Sequence, residues 1–264
     1  MKRMLVCLMA LMMILPAAFA EGTLKVGMEC NYAPFNWTQS EQSETAVPLN
    51  GGGFADGYDV QVARYLAEKL GMELEIVKTE WDGLPPALMS GKIDLIVAGM
   101  SPTAERKMAI DFSAPYYESN LTVVVRKDSP FAGAKTLKEL SGAKITGQLN
   151  TFHYTVIDQI EGVQKQVAME SFPAMIVAVS SGRIDGYISE LPGAVSAAGA
   201  NPDLTYLTFN EGEGFACDPA DTTVAVGVQK GSALTEKVNA ALAELTQEQR
   251  LAWMEEAIAR QPLN

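Results

Sequence analysis

Two short polar segments in this chain could do chemistry, and each follows a brief apolar strand introduced by nearly the same five residues. Ser90-Gly91-Lys92-Ile93-Asp94 leads to Ala98-Gly99-Met100-Ser101, and Ser181-Gly182-Arg183-Ile184-Asp185 leads to Ser189-Glu190. In each copy the glycine can close a helix with φ > 0, the cation sits at the negative end of the helix dipole, and the isoleucine opens the strand. Ligands of open α/β sheets lie just beyond the carboxyl ends of the strands, so these polar residues are expected to face each other across a cleft. Hydroxyls, a carboxylate and a glycine that admits close backbone approach are groups for holding a polar molecule. The sequence shows no nucleophile-base-acid set. His153 is the one histidine, and there is no Cys-x-x-Cys or His-x-x-x-His spacing, which argues against a transition-metal site. Near a helix start, His153 is expected to be solvated or packed.

The elements that must position these groups alternate strand and helix. Leu24–Met28 reads as a strand, Tyr58–Leu70 as a helix closed by Gly71, Glu73–Val77 as a strand, Gly83–Ser90 as a helix and Ile93–Val97 as a strand. Such alternation favours a parallel sheet covered by helices on both faces. Residues 39–57 are polar, carry Gly51-Gly52-Gly53, and read as a long surface loop. Ser101-Pro102 is expected to open a short helix to Ile110, with the serine as N-cap and the proline at the first helical position. Leu121–Arg126 is a strand leaving the first unit. The theme then repeats: strand Lys144–Gly147, helix Thr151–Ile160, strand Gln164–Met169, helix Pro173–Ser181, strand Ile184–Ile188 and helix Pro192–Ala198. Thr222–Val228 is a second long strand, and helices follow over Ser232–Leu245 and Glu248–Ala259. Crossings near 118–122 and 222–226 imply two lobes, 21–118 with 225–264 and 119–224, joined by a two-strand hinge that can close on a ligand.

Composition narrows the partners. Lys2-Arg3, an apolar run from Met4 to Leu15 and Ala18-Phe19-Ala20 form a secretory leader over residues 1–20, with cleavage expected after Ala20 and a periplasmic destination. An uncleaved anchor is the alternative, and Cys7 inside the apolar run is not read as a lipid-attachment site. The formal net charge of −12 grows more negative once Lys2 and Arg3 are removed, and no basic block breaks it, so nucleic acid is excluded as a partner. No later segment reaches the ~18 consecutive apolar residues of a membrane helix. Cys30 and Cys217 remain after the leader. Export permits a disulfide between them, but they fall in different lobes, where a bond would restrain closure, so two buried thiols are expected.

Several of these segments together resemble the extracellular solute-binding proteins that deliver polar amino acids to ABC transporters. The likeness rests on Val26-Gly27 with Tyr32-Ala33-Pro34-Phe35, Gly57-Tyr58-Asp59-Val60, and Trp81-Asp82-Gly83-Leu84-Pro85-Pro86-Ala87-Leu88. It continues through Gly91-Lys92-Ile93-Asp94, Thr103-Ala104-Glu105-Arg106 and Asp111-Phe112-Ser113-Ala114-Pro115-Tyr116-Tyr117. It spans the chain beyond the leader and is densest between residues 24 and 126. The resemblance implies the type-II periplasmic binding fold, two α/β lobes with the ligand cleft between them. It also implies an amino-acid ligand, a membrane permease as partner, a monomer, and no cofactor.

The site residues come from that resemblance, each with a chemical reason. Arg106 is the clamp for the ligand's carboxylate, because a planar guanidinium matches a carboxylate with two parallel hydrogen bonds; a surface arginine is its plain alternative. Ser101 offers a hydroxyl and Gly99 a carbonyl. In the opposite lobe Thr151 and the amide of Phe152 open a helix whose free N–H groups favour an anion; Phe152 is bulkier than the family pattern at this turn. Glu190 stands where the family commonly has aspartate, the acceptor for the α-ammonium. Tyr32 and Trp81 are aromatic walls, able to lie over an aliphatic stem or a cation. Glu29 is placed near the ligand's far end and Gln148 where relatives vary with ligand. Glu29 with two aromatic walls leans toward an arginine- or lysine-like ligand; Gln148 equally permits glutamine.

Two rival functions share the fold. An exported enzyme resembling cyclohexadienyl dehydratases would use Glu190 or Glu29 as an acid acting on prephenate or arogenate. A sensory binding module would normally continue into a transmembrane segment. The binding protein needs no catalytic group and is the leading expectation.

Overall fold

The computed structural model describes residues 22–262; the leader and its cleavage point after Ala20 lie outside the described residues. Along the chain come strand β1 (Thr23–Met28), four short strands β2 (Asn31–Tyr32), β3 (Asn36–Gln39), β4 (Val47–Pro48) and β5 (Phe54–Asp56), and helix α1 (Tyr58–Leu70). Strand β6 (Glu73–Lys78), helix α2 (Leu84–Met89), strand β7 (Leu95–Ile96), helix α3 (Ala104–Ala109) and strand β8 (Asp111–Glu118) follow. After strand β9 (Leu121–Arg126) and strand β10 (Lys144–Thr146) come helix α4 (Phe152–Thr155), strand β11 (Gln164–Lys165) and helix α5 (Phe172–Ser180). Strand β12 (Gly186–Glu190), helix α6 (Leu191–Ala200), strand β13 (Leu204–Tyr206), strand β14 (Thr223–Val228) and helices α7 (Leu234–Glu244) and α8 (Gln247–Arg260) complete it.

Two five-stranded sheets are built alike. The first has the order β6-β1-β7-β14-β8, with β1 parallel to both β6 and β7 and β14 antiparallel to its neighbours. The second has the order β11-β10-β12-β9-β13, with β10 parallel to β11 and β12, and β9 antiparallel to β12 and β13. The chain passes from the first to the second through Ser119-Asn120 and returns at Thr222, where the Ser119 amide donates to the Thr222 carbonyl at 2.9 Å.

The repeated pentapeptide does the same structural work in both. Gly91 and Gly182 have φ of 72° and 71°. The amides of Lys92 and Arg183 donate back to the carbonyls of Ala87 and Ala178 at 2.9 and 3.0 Å, closing α2 and α5. Asp94 then accepts from the Lys25 amide at 2.8 Å and Asp185 from the Lys144 amide at 2.8 Å. Each aspartate also donates its own amide to the same lysine's carbonyl. Both central strands, β7 and β12, are thus pinned to the neighbouring parallel strand before they deliver their polar residues to the carboxyl ends.

Three local expectations give way. Residues 39–57 are not one loop: β3, β4 and β5 join β2 in a small antiparallel sheet, and Asp56 accepts from Ser43 and Thr45 across its connection. Ser101 does not cap α3; Thr103 does, accepting from the Arg106 amide at 3.3 Å, while the Ser101 carbonyl is taken by the Arg106 side chain. The helix expected over Thr151–Ile160 is one turn, α4, followed by a 3-10 turn, Val156–Gln159.

One apolar core covers the first sheet and continues through Tyr32 onto Phe172, Met175 and Val179 of α5. A second, with Val123, Val125, Ile145 and Ile188, lies on the other sheet. Cys30 belongs to the first core, Cys217 packs against the second, and both are free thiols. Among the described residues no helix is long and apolar enough to cross a membrane.

Candidate functional site

The segment after β7 is fixed from behind by a buried relay. The Cys30 amide donates to Asn36 Oδ1 at 2.7 Å, Asn36 Nδ2 to Asp59 Oδ2 at 2.7 Å, and the Tyr116 hydroxyl to Asp59 Oδ1 at 2.7 Å. The Gly99 amide in turn donates to the Tyr116 oxygen at 3.2 Å. Burial pushes Asp59 up to about 6, and its bonds to Tyr116 and Asn36 oppose that rise. Gly99 has φ 60°, and a Cβ there would stand 3.2 Å from the Tyr32 ring. Only glycine lets this turn and the aromatic wall come so close.

Arg106 projects from α3 into the cleft. Its Nη1 donates to the Ser101 carbonyl at 3.0 Å, its Nη2 reaches the Asn150 carbonyl of the other lobe at 3.2 Å, and its guanidinium lies 5.1 Å from the Trp81 ring centre. Burial lowers its pKa to about 10, which leaves it a cation at neutral pH. An arginine stacked on an aromatic face and held by carbonyls is aimed before any ligand arrives.

Across the cleft, Gln148 follows β10 and Thr151 precedes α4. Thr151 Oγ1 donates to the Gln148 carbonyl at 2.7 Å, and Gln148 Nε2 donates to the Glu170 carbonyl at 3.1 Å and to Glu29 at 3.3 and 3.4 Å. Glu29 is 3% exposed, and burial raises its pKa to about 7 against the lowering effect of Gln148. Glu190, at the end of β12, is 1% exposed and accepts from the Tyr32 hydroxyl at 3.0 Å. Burial raises it to about 8, the Tyr32 bond notwithstanding. Neither carboxylate has a cation at salt-bridge distance among the described residues; the His153 imidazole, 4.0 Å from Glu190, is neutral.

Of the ten residues expected at the site, Tyr32, Trp81, Gly99, Ser101, Arg106, Gln148, Thr151 and Phe152 wall one cavity. Glu29 and Glu190 do not reach the wall; they lie one layer behind it, against Gln148 and Tyr32. Two residues not expected at the site complete it, Phe172 and the histidine expected to be merely solvated or packed. Phe172 stacks on Tyr32 with ring centres 4.0 Å apart and planes inclined by 12°. His153 is buried beside Glu190, held neutral by burial and by Arg106, which push its pKa down to about 3. The N-terminal position of Phe172 in an apolar helix marks it as core, and no spacing links His153 to residue 190. The resulting arrangement offers a cation for a carboxylate, two carboxylates for cationic groups and aromatic faces for a stem.

The model of bacterial extracellular solute-binding proteins, family 3, matches residues 24–258. A probable histidine-binding protein of Campylobacter jejuni is 34% identical over 196 residues, 73% of this chain and 70% of that protein. An arginine-binding extracellular protein of Bacillus subtilis is 30% identical over 227 residues, 84% of this chain and 80% of its own. Among solved structures, an amino acid ABC transporter substrate-binding protein of Streptococcus pneumoniae bound to L-arginine superposes with a TM-score of 0.77. It is 29% identical, and the match covers 90% of this chain and 94% of that one.

Proposed function

We propose, since this chain belongs to the bacterial extracellular solute-binding proteins, family 3, that it captures an amino acid with a cationic side chain for an ABC transporter. Exported by its leader, it closes about the two crossings on an arginine- or lysine-like ligand, glutamine being next in order, and hands it to the membrane permease. The reading rests on one observation: two buried carboxylates, Glu29 and Glu190, lie just behind the wall of a cavity that the half-buried Arg106 guanidinium lines. An unpaired buried charge is costly. A zwitterion with one further positive charge balances all three groups, its carboxylate on Arg106, its α-ammonium on Glu190 and its side-chain cation toward Glu29. Trp81 and Tyr32 flank the stem.

Thermal unfolding of ligand-stripped protein against the twenty amino acids tests this. Ligand at 100 times its Kd adds about 2.7 kcal/mol, a rise of roughly 5–11 °C for a chain of this size. A rise with arginine, lysine or ornithine supports the reading, and one confined to glutamine keeps the transport role and removes the charge argument. No rise with any amino acid, together with turnover of prephenate or arogenate, would replace it by the dehydratase.

A further inference from the structure

Three of the six buried side-chain polar atoms without a hydrogen-bond partner among the described residues lie together: Nδ1 and Nε2 of His153 and Oε1 of Glu190. Native interiors leave few such atoms unpaired, and those left unpaired ask for an explanation. His153 Nε2 stands 4.0 Å from Glu190 Oε1. That gap is too wide for a direct hydrogen bond and narrow enough for one nitrogen to reach both at about 2.9 Å.

The imidazole is locked where it stands. Phe152 packs tilted against it with ring centres 4.6 Å apart, and Phe172 meets it edge-on at 6.2 Å. A Cβ on Gly147 would lie 3.0 Å from the His153 carbonyl, so the end of β10 presses directly on the backbone of α4. The ring also lines the cavity, whereas Glu190 lies behind it with its other oxygen bound to Tyr32. Of the pair, His153 is thus the member on the cavity side. With Arg106 beside it and the ring buried, the neutral imidazole offers an acceptor to a cation there.

We propose that His153 is a ligand-contacting residue that accepts, through Nε2, a hydrogen bond from the same α-ammonium that Glu190 receives. The proposal rests on the amino-acid reading above and adds a contact to it. The ammonium spans the 4.0 Å gap, pairs two of the three orphaned atoms, and fixes the tautomer with its proton on Nδ1.

Because His153 is the one histidine in the chain, nuclear magnetic resonance of protein labelled with 15N-histidine reports on it alone. Titration with L-arginine, followed in parallel by calorimetry, is expected to give a neutral ring in one tautomer and a displaced Nε2 resonance at saturation. Calorimetry on variants supplies the second arm. H153F should bind L-arginine about 10- to 100-fold more weakly, as expected for loss of a hydrogen bond to a charged group, while H153Q, which keeps an acceptor, should retain most of the affinity. Saturable arginine binding with an unmoved histidine spectrum, or H153F binding as tightly as the parent, overturns the role of His153 and leaves the transport reading standing. No binding of L-arginine or any other amino acid by the parent protein overturns both.

Discussion

The side-chain amide of Gln148 donates to both carboxylate oxygens of Glu29, at 3.3 and 3.4 Å, from the opposite lobe of the molecule. The contact joins the residue expected to read the ligand's far end to the residue expected to vary with ligand. It also makes Glu29 less expensive to bury. Glu29→Gln should weaken cationic amino acids at least about tenfold, the loss of one charged hydrogen bond, and leave neutral ones within a few-fold. Calorimetry with arginine and glutamine checks this, and equal losses for both ligands would remove Glu29 from selectivity.

Arg106→Ala should cost about 2–4 kcal/mol of binding, hence at least ~30-fold in affinity, since it strips the cavity wall of its cation. Arg106→Lys keeps the charge and loses both the fork and the stacking on Trp81, so it should recover part of the loss. Unchanged affinity in a folded Arg106→Ala protein would refute the clamp.

Binding of a cationic ligand should release protons near neutral pH. Glu29 and Glu190 are raised by burial from 4.5 to about 7 and about 8. In the protein alone their contribution to stability is whole below about pH 4.5 and is lost as pH climbs through 7 to 8. A ligand that pairs with their charged forms pulls both values down, so affinity should rise from pH 6 to pH 8.5, by up to tenfold per unit for each group still protonated. Calorimetry in two buffers of different ionisation enthalpy measures the protons released; a flat affinity profile with no proton exchange would contradict the pairing.

Gly57 shows where backbone, not side chain, limits the site. It has φ 130°, and a Cβ there would stand 2.4 Å from the Phe35 carbonyl. Gly57→Ala should destabilise the protein by about 2–3 kcal/mol, lowering the thermal midpoint by roughly 4–12 °C. A midpoint within a degree of the parent would show that the turn relaxes cheaply.

What the sequence disclosed and what it hid divide along the range of the forces involved. The twin pentapeptides were legible because a glycine cap, a helix end and an aspartate beside a strand act within a few residues. Glu29, Arg106 and Glu190 were expected at the site from the family resemblance and not from local pattern: Arg106 is the third residue of the short helix α3, where spacing alone reads as a surface arginine. The small sheet of β2 to β5 escaped because strands of two to four residues carry no period, and their hold comes from Asp56 reaching Ser43 and Thr45. Thr103 displaced Ser101 as cap because the guanidinium of Arg106, five residues beyond the serine, claimed the serine carbonyl. Phe172 and His153 were hidden for a plainer reason. Their partners, Tyr32 and Glu190, lie far along the chain, and a residue that pairs only in three dimensions leaves no local pattern.

Asp94 and Asp185 grip Lys25 and Lys144 through both amide and carboxylate, so each half of the site is mounted on a stiff plate, and two plates joined by a pair of thin straps behave as a caliper. A caliper reports separation rather than contour. On the proposed reading, a glutamate at residue 190, one methylene longer than the aspartate the family resemblance implies there, would lengthen one jaw and reset the size of object on which the jaws meet, so selectivity would be retuned without reshaping either face.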